Sequence, residues 1–284
     1  STIYIKIIFL LTLSLVILVA TINWIVDPGG IYPKPYLLNA DNSLTINTYI
    51  NKLVESKYGL LTPKDEWNER DLKKTLAEHS VDYDCAIIGS SRVMQISSYR
   101  HNNSLEGFCL KINNFGVSGG SLEDYIAMSN IIVSNKSHMP DTIVFGIDPW
   151  SFNLGRDFRW SQYKKNYINM INILSNDNKF VESPSKKKML NLINYKYLKR
   201  SLDVIYKSKV KRIVAAPKFN HILGLDFPVT LPDGSHIYSN KYIHKTAKTI
   251  KTISGFHSYK IEKERYYQEH AIVLFTKLVK YLKN

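Results

Sequence analysis

From Ile7 to Val26 the chain reads IIFLLTLSLVILVATINWIV, with no charged side chain, and nothing else in it restricts folding so strongly. In hydrocarbon there is no water to satisfy the backbone, so a run of this kind must be helical. At about 1.5 Å per residue it reaches roughly 30 Å, the thickness of a bilayer core. A cleaved signal peptide is the competing reading, but the run is long for an h-region and no small-x-small site precedes Asp27-Pro28. The expectation is an uncleaved anchor over residues 1–26, a single pass through the cytoplasmic membrane with the soluble part extracytoplasmic. Trp24 suits the interface, and Lys6 is the only basic side chain before the run, so charge bias constrains orientation weakly.

Of the 284 residues, 44% are apolar and 22% charged, which is ordinary globular composition. Lys and Arg outnumber Asp and Glu by 38 to 24, and the resulting +14 is scattered along the chain. Such a surface suits an anionic partner: nucleic acid, acidic lipid headgroups, or a phosphate- or uronate-bearing polymer. Zinc-ligand spacing, an RNA-binding aromatic signature and a helix-turn-helix pattern are all missing, which argues against nucleic acid. No metal and no cofactor is expected, because His, Cys and Asp are not clustered at ligand spacing. Cys85 and Cys109 each open an apolar run, and two buried free thiols are expected in preference to a bridge.

Residues 27–80 read as a Pro/Gly/Asn-rich connector followed by a helical neck, TINTYINKLVESKYGLL and DEWNERDLKKTLAEHS. From 81 to 155 the pattern changes. CAIIGS, CLKINNFG and DTIVFGID are three short runs of β-forming residues, and SLEDYIAMSNIIVSN between the last two has helical spacing. Strand, helix, strand at this spacing predicts an α/β fold with a parallel sheet, whose ligands bind beyond the carboxyl ends of the strands. Residues 156–284 read as a helical and hairpin insertion leading back to that core. YKKNYINMINILSN and KKKMLNLINYKYLKRSLDVIYKS are helical and basic, VKRIVAAP is strand-like, and Asp233-Gly234 marks a hairpin turn within FPVTLPDGSHIYSNKYI.

Three strand ends carry residues capable of chemistry. After the first strand, IIGSSRV offers Ser90 and Ser91, either as helix caps or as a nucleophile lifted above the sheet by a glycine turn. The Gly-x-Ser-x-Gly elbow is disfavoured, since Val93 stands where its second glycine would be. After the second strand comes NNFGVSGG, and after the third GIDPW.

These residues, over about 83 to 153, resemble the SGNH or GDSL-like hydrolases and acyltransferases, in particular membrane-anchored members acting on cell-surface polymers. The resemblance implies a three-layer, flavodoxin-like parallel sheet. It also implies Ser91 as nucleophile and Gly119, in Asn-x-Gly-x-x-Gly, as an oxyanion donor. Where the family often has asparagine this chain has Asp148, which as a carboxylate would repel an oxyanion and is expected instead to pair with Arg92 or hold the Ser91 loop. The family's Asp-x-x-His base has one match in spacing, Asp233 and His236, although the Asp-Gly turn accounts for those residues equally well. His257 and His270 lack the preceding aspartate. The chain starts with Ser1 and ends in the amphipathic LFTKLVKYLKN, so it reads as a fragment whose true base lies further on. The implied activity is acyl transfer or ester hydrolysis on a cell-surface glycan, with an anionic polysaccharide or an acyl carrier as partner. A non-catalytic polymer-binding module is the alternative.

Overall fold

A computed structural model describes residues 2–27, 32, 36–61, 68–79, 82–100, 105, 107–135, 139–155, 159–174, 190–207, 215–218, 225–244 and 268–283. The N-terminal run forms one continuous helix, α1 (Thr2–Val26), long and apolar enough to cross a membrane, and its apolar window is not buried by the rest of the chain.

The central sheet is parallel, in the order β3-β2-β4: β2 (Cys85–Gly89), β3 (Ile112–Asn114) and β4 (Thr142–Gly146). All five residues of β2 are buried, as expected of a middle strand covered on both faces. Its side chains alternate. Ala86 and Ile88 enter the large helix-lined core, while Cys85 and Ile87 meet Val93, Cys109, Ile112 and Val144 on the other face. The crossover from β3 to β4 is α4 (Leu122–Ser134), buried along Leu122–Ile132 and started by Ser121, whose N–H donates to the Asp124 carboxylate at 3.0 Å.

Around α4 lie α3 (Glu69–His79), α5 (Lys164–Leu174) and α7 (Glu269–Leu282), with α2 (Tyr36–Glu55) against α3. The segment read as a neck is therefore built into the core. Tyr49, Ile50 and Leu53 of α2 and Leu76 and Ala77 of α3 share one apolar cluster with Phe115 and Leu122. Its helical periodicity was visible in the sequence, but which surface that stripe covers depends on α4. Phe275 of α7 packs edge-on against Phe145 of β4 and against Phe152, with ring centroids 5.3 and 5.6 Å apart.

One expectation is corrected. Cys85 and Cys109 are not free thiols; they form a disulfide with Cα atoms 5.6 Å apart. Pairing Cys85 with Ile112 in the ladder brings Cys109, three residues before β3 begins, within reach of β2, which separate inspection of the two apolar runs could not reveal. Closing a loop of this size stabilises by about 2–4 kcal/mol.

The expected hairpin is present as β5 (Val229–Thr230) and β6 (His236–Ile237), with β1 (Leu60–Leu61) on the far side of β5. Gly234 takes φ +77°, the left-handed backbone its turn requires. Of VKRIVAAP, Ala215 bridges to Leu60, and residues 210–214 lie outside the described residues. A further helix, α6 (Tyr195–Lys207), packs against the end of α1.

Candidate active site

Three glycines set the geometry of the sheet's carboxyl edge. A Cβ on Gly89 would fall 2.7 Å from a Val93 methyl, one on Gly116 2.8 Å from the same methyl, and one on Gly146 2.1 Å from the other. Val93 is thus seated over the ends of β2 and β4 and against the loop that leaves β3, and the turn Ser90–Val93 is held close to the edge. Gly120 continues the pattern, since a Cβ there would lie 2.6 Å from the Gly89 carbonyl oxygen. The backbone adds Val117 N–H to Gly89 O at 3.0 Å, and the Asn114 amide donates to the Val93 and Ile96 carbonyls at 2.7 and 2.9 Å. The loops carrying Ser91 and Gly119 are therefore stapled together.

Within that turn the two serines divide their roles. Ser90 is 1% exposed, and its Oγ accepts the Arg92 N–H at 3.3 Å while its carbonyl accepts the Val93 N–H. It is the residue that closes the turn. Ser91 is half-buried, and among the described residues neither its hydroxyl nor its N–H has a partner. Gly119 is exposed at φ +62°, and its N–H likewise has no acceptor among the described residues. The neighbouring Ser118 N–H is taken by Glu69 Oε2 at 2.6 Å, so α3 anchors this loop.

Asp148 is buried, and its Oδ1 lies 3.3 Å from Arg92 Nη1. The guanidinium also stacks over Trp150, 4.6 Å from the ring centre. The third strand end is thereby tied to the residue following Ser91. Since the Arg92 side chain is 69% exposed, solvent screens the pair, which orients the loop more than it stabilises the fold.

Asp233 and His236 dock on the same edge through backbone. Asn114 N–H donates to Asp233 O at 2.7 Å, and His236 N–H donates to Met94 O at 2.7 Å. Their side chains do not form a dyad. The Asp233 carboxylate accepts the Ser97 hydroxyl and, at 2.9 Å, the Ser235 N–H, whereas the His236 ring packs edge-on to Tyr238. His236 makes no hydrogen bond to Ser91 or Asp233 among the described residues. Beneath the hairpin is Lys73, which donates to Asn114 O at 2.8 Å and to Gly234 O. Burial pushes its pKa down to about 8, against the opposing pull of Glu69 and Asp233. Glu69 and Lys73 were not singled out by sequence, since spacing of i and i+4 on a charged helix ordinarily means a solvated face. His270 lies exposed on α7, and His257 falls outside the described residues.

Two groups, the buried Glu123 and the partly buried His236, titrate in opposition. Burial drives Glu123 from 4.5 up to about 7, with the Gly155 N–H pulling the other way. Burial, then Lys73, drives His236 from 6.5 down to about 4. Between these limits the folded chain keeps a proton on Glu123 that the unfolded chain releases, so stability from Glu123 falls as pH rises. His236 does the reverse, because the unfolded chain takes up a proton that the folded chain refuses, and its contribution falls as pH drops from 6.5 to 4. Denaturant titrations across pH should show the two slopes offsetting each other. Compared with wild type, Glu123→Gln should lose stability progressively on acidification, and His236→Gln should gain it.

No family model, curated protein or solved structure matches this chain.

Proposed function

We propose that the chain is a membrane-anchored, extracytoplasmic acyltransferase or esterase with the three-layer SGNH arrangement, acting on a cell-surface glycan through an acyl ester on Ser91. The observation that carries this reading is the division of labour between the serines. The buried Ser90 closes the turn, and Ser91 is left half-exposed with its hydroxyl and N–H unengaged among the described residues. Ser91 Oγ would attack an acyl carbonyl and lose its proton to a base. The acyl bond to the donor oxygen would then break, the donor leaving with that proton. A glycan hydroxyl or water would take the acyl group in the second half-reaction. The N–H groups of Ser91 and Gly119 are the donors proposed for the oxyanion. The Cys85–Cys109 bridge supports a compartment outside the cytoplasm, and the +14 charge suits an anionic glycan or acyl carrier. His236 is the base candidate on this chain; with a pKa near 4 it is neutral and able to accept a proton, but weak.

The second reading is a non-catalytic module that keeps the fold for polymer binding. Asp148 favours it, being ion-paired where the family often places an uncharged donor, as does Asp233, bonded to Ser97 and Ser235 rather than to a histidine. A fluorophosphonate probe separates the two. The enzyme predicts labelling of wild type and Ser90→Ala, with labelling abolished in Ser91→Ala and sharply slowed in His236→Ala if His236 is the base. Equal labelling of wild type and Ser91→Ala rejects the serine mechanism, and a folded wild type that never labels favours the module.

A further inference from the structure

The last turn of α1 does not stand free. Asn23 is fully buried, with its side-chain amide donating to Leu192 O at 2.7 Å and its Oδ1 accepting the Ser201 hydroxyl at 2.9 Å. Asp27, the first charge after the apolar run, is also buried, and its carboxylate accepts the Tyr197 hydroxyl and, at 2.9 Å, the Tyr32 N–H. Tyr197 and Ser201, one helical turn apart, are thus the face of α6 that grips α1. Asn23 lies three residues inside the helix end at Val26, a rise of about 4.5 Å. If α1 spans the bilayer, the segment around α6 is held at the level of the headgroups.

The remaining surface of that segment has the composition such a position calls for. Leu190, Ile193, Tyr195 and Leu202 are exposed apolar residues, from 48% to 75% accessible. Among them stand Lys196, Lys199 and Arg200, all exposed and without an acid partner among the described residues. Apolar side chains with interleaved cations form the surface of a helix that lies in an interface, greasy groups entering the acyl boundary while the ammonium and guanidinium groups meet phosphate. We infer that residues 190–202 form a second membrane contact, an interfacial strap that rests on anionic phospholipid and sets the height and tilt of the soluble domain above the bilayer. This rests on the proposed reading of α1 as a spanning anchor and is independent of any activity at Ser91.

The experiment uses the full chain in nanodiscs of phosphatidylcholine alone, or of an equal mixture with phosphatidylglycerol. Both native cysteines are bridged, so a single introduced cysteine takes an environment-sensitive fluorophore selectively. Leu190→Cys probes the strap, Leu13→Cys the apolar helix, and Glu78→Cys, on the exposed side of α3, the soluble domain. The strap predicts a blue-shifted label at position 190 with several-fold stronger emission in the mixed bilayer than at position 78, quenched by spin-labelled lipid. Changing Lys196, Lys199 and Arg200 together to Gln should remove the difference between the two bilayers. A label at position 190 as aqueous as that at 78, while 13 sits in lipid, overturns the strap and leaves the anchor standing. If 13 is aqueous too, the spanning reading itself fails. Identical shielding at 190 in both bilayers, unchanged by the triple substitution, overturns the role of anionic lipid.

Discussion

Arg70→Met is expected to lower folding stability by about 3–5 kcal/mol, the usual cost of leaving one member of a buried ion pair alone. Arg70 and Asp124 are 2% and 3% exposed and meet in a two-point contact, Nε to Oδ1 and Nη2 to Oδ2, each 2.7 Å. Asp124 also receives the Ser121 N–H, so the same carboxylate starts α4 and receives α3. Without the guanidinium, that carboxylate must stay buried and unpaired or take up a proton. Asp124→Leu should cost a similar amount, as it strands the cation and removes the cap together. The double variant should then cost clearly less than the sum of the two, because no isolated charge remains. Denaturant unfolding of all four proteins measures this, and strict additivity would show that the contact is not a coupled pair.

A comparable loss is expected from Gly146→Ala, at the upper end of the roughly 1–3 kcal/mol typical of an overpacked core. The added methyl would lie 2.1 Å from Val93 Cγ1, and rotating Val93 offers no relief because its other methyl already sits against Gly89 and Gly116. The turn must lift, carrying Ser91 with it. Fluorophosphonate labelling should therefore fall together with stability in Gly146→Ala. Val93→Ala vacates the space, so adding it to Gly146→Ala should restore both more than partly. A Gly146→Ala protein as stable and reactive as wild type would mean that Val93 is not seated on the strand ends.

Some of this site was readable from residues alone. The small, β-branched CAIIG run ending in glycine gave a buried strand with a sharp exit, and the helical spacing of SLEDYIAMSNIIVSN gave the helix between the second and third strands. Ser91 and Gly119 were placed on adjacent loops by the order of strand, loop and helix. The preference for Ser91 over Ser90 came only from a family resemblance; the fold distinguishes the two turn residues by burial, since Ser90 is packed inside and Ser91 is only half-buried. Asp233-x-x-His236 matched in spacing, yet spacing along a hairpin does not fix which groups the side chains meet, and Ser97 takes the carboxylate.

The apolar run, the parallel strands and the Asp-Gly hairpin were determined by the sequence itself, since each follows from periodicity or backbone preference within a few consecutive residues. The tertiary structure decided what depends on register and close approach between distant segments. It bridged Cys85 to Cys109, joined Arg70 to Asp124 across 54 positions, gathered three glycines beneath Val93, and closed α6 onto the end of α1 through Asn23. None of these has a local signature, because a side chain's partner is set by which strand pairs with which and which helix covers the sheet.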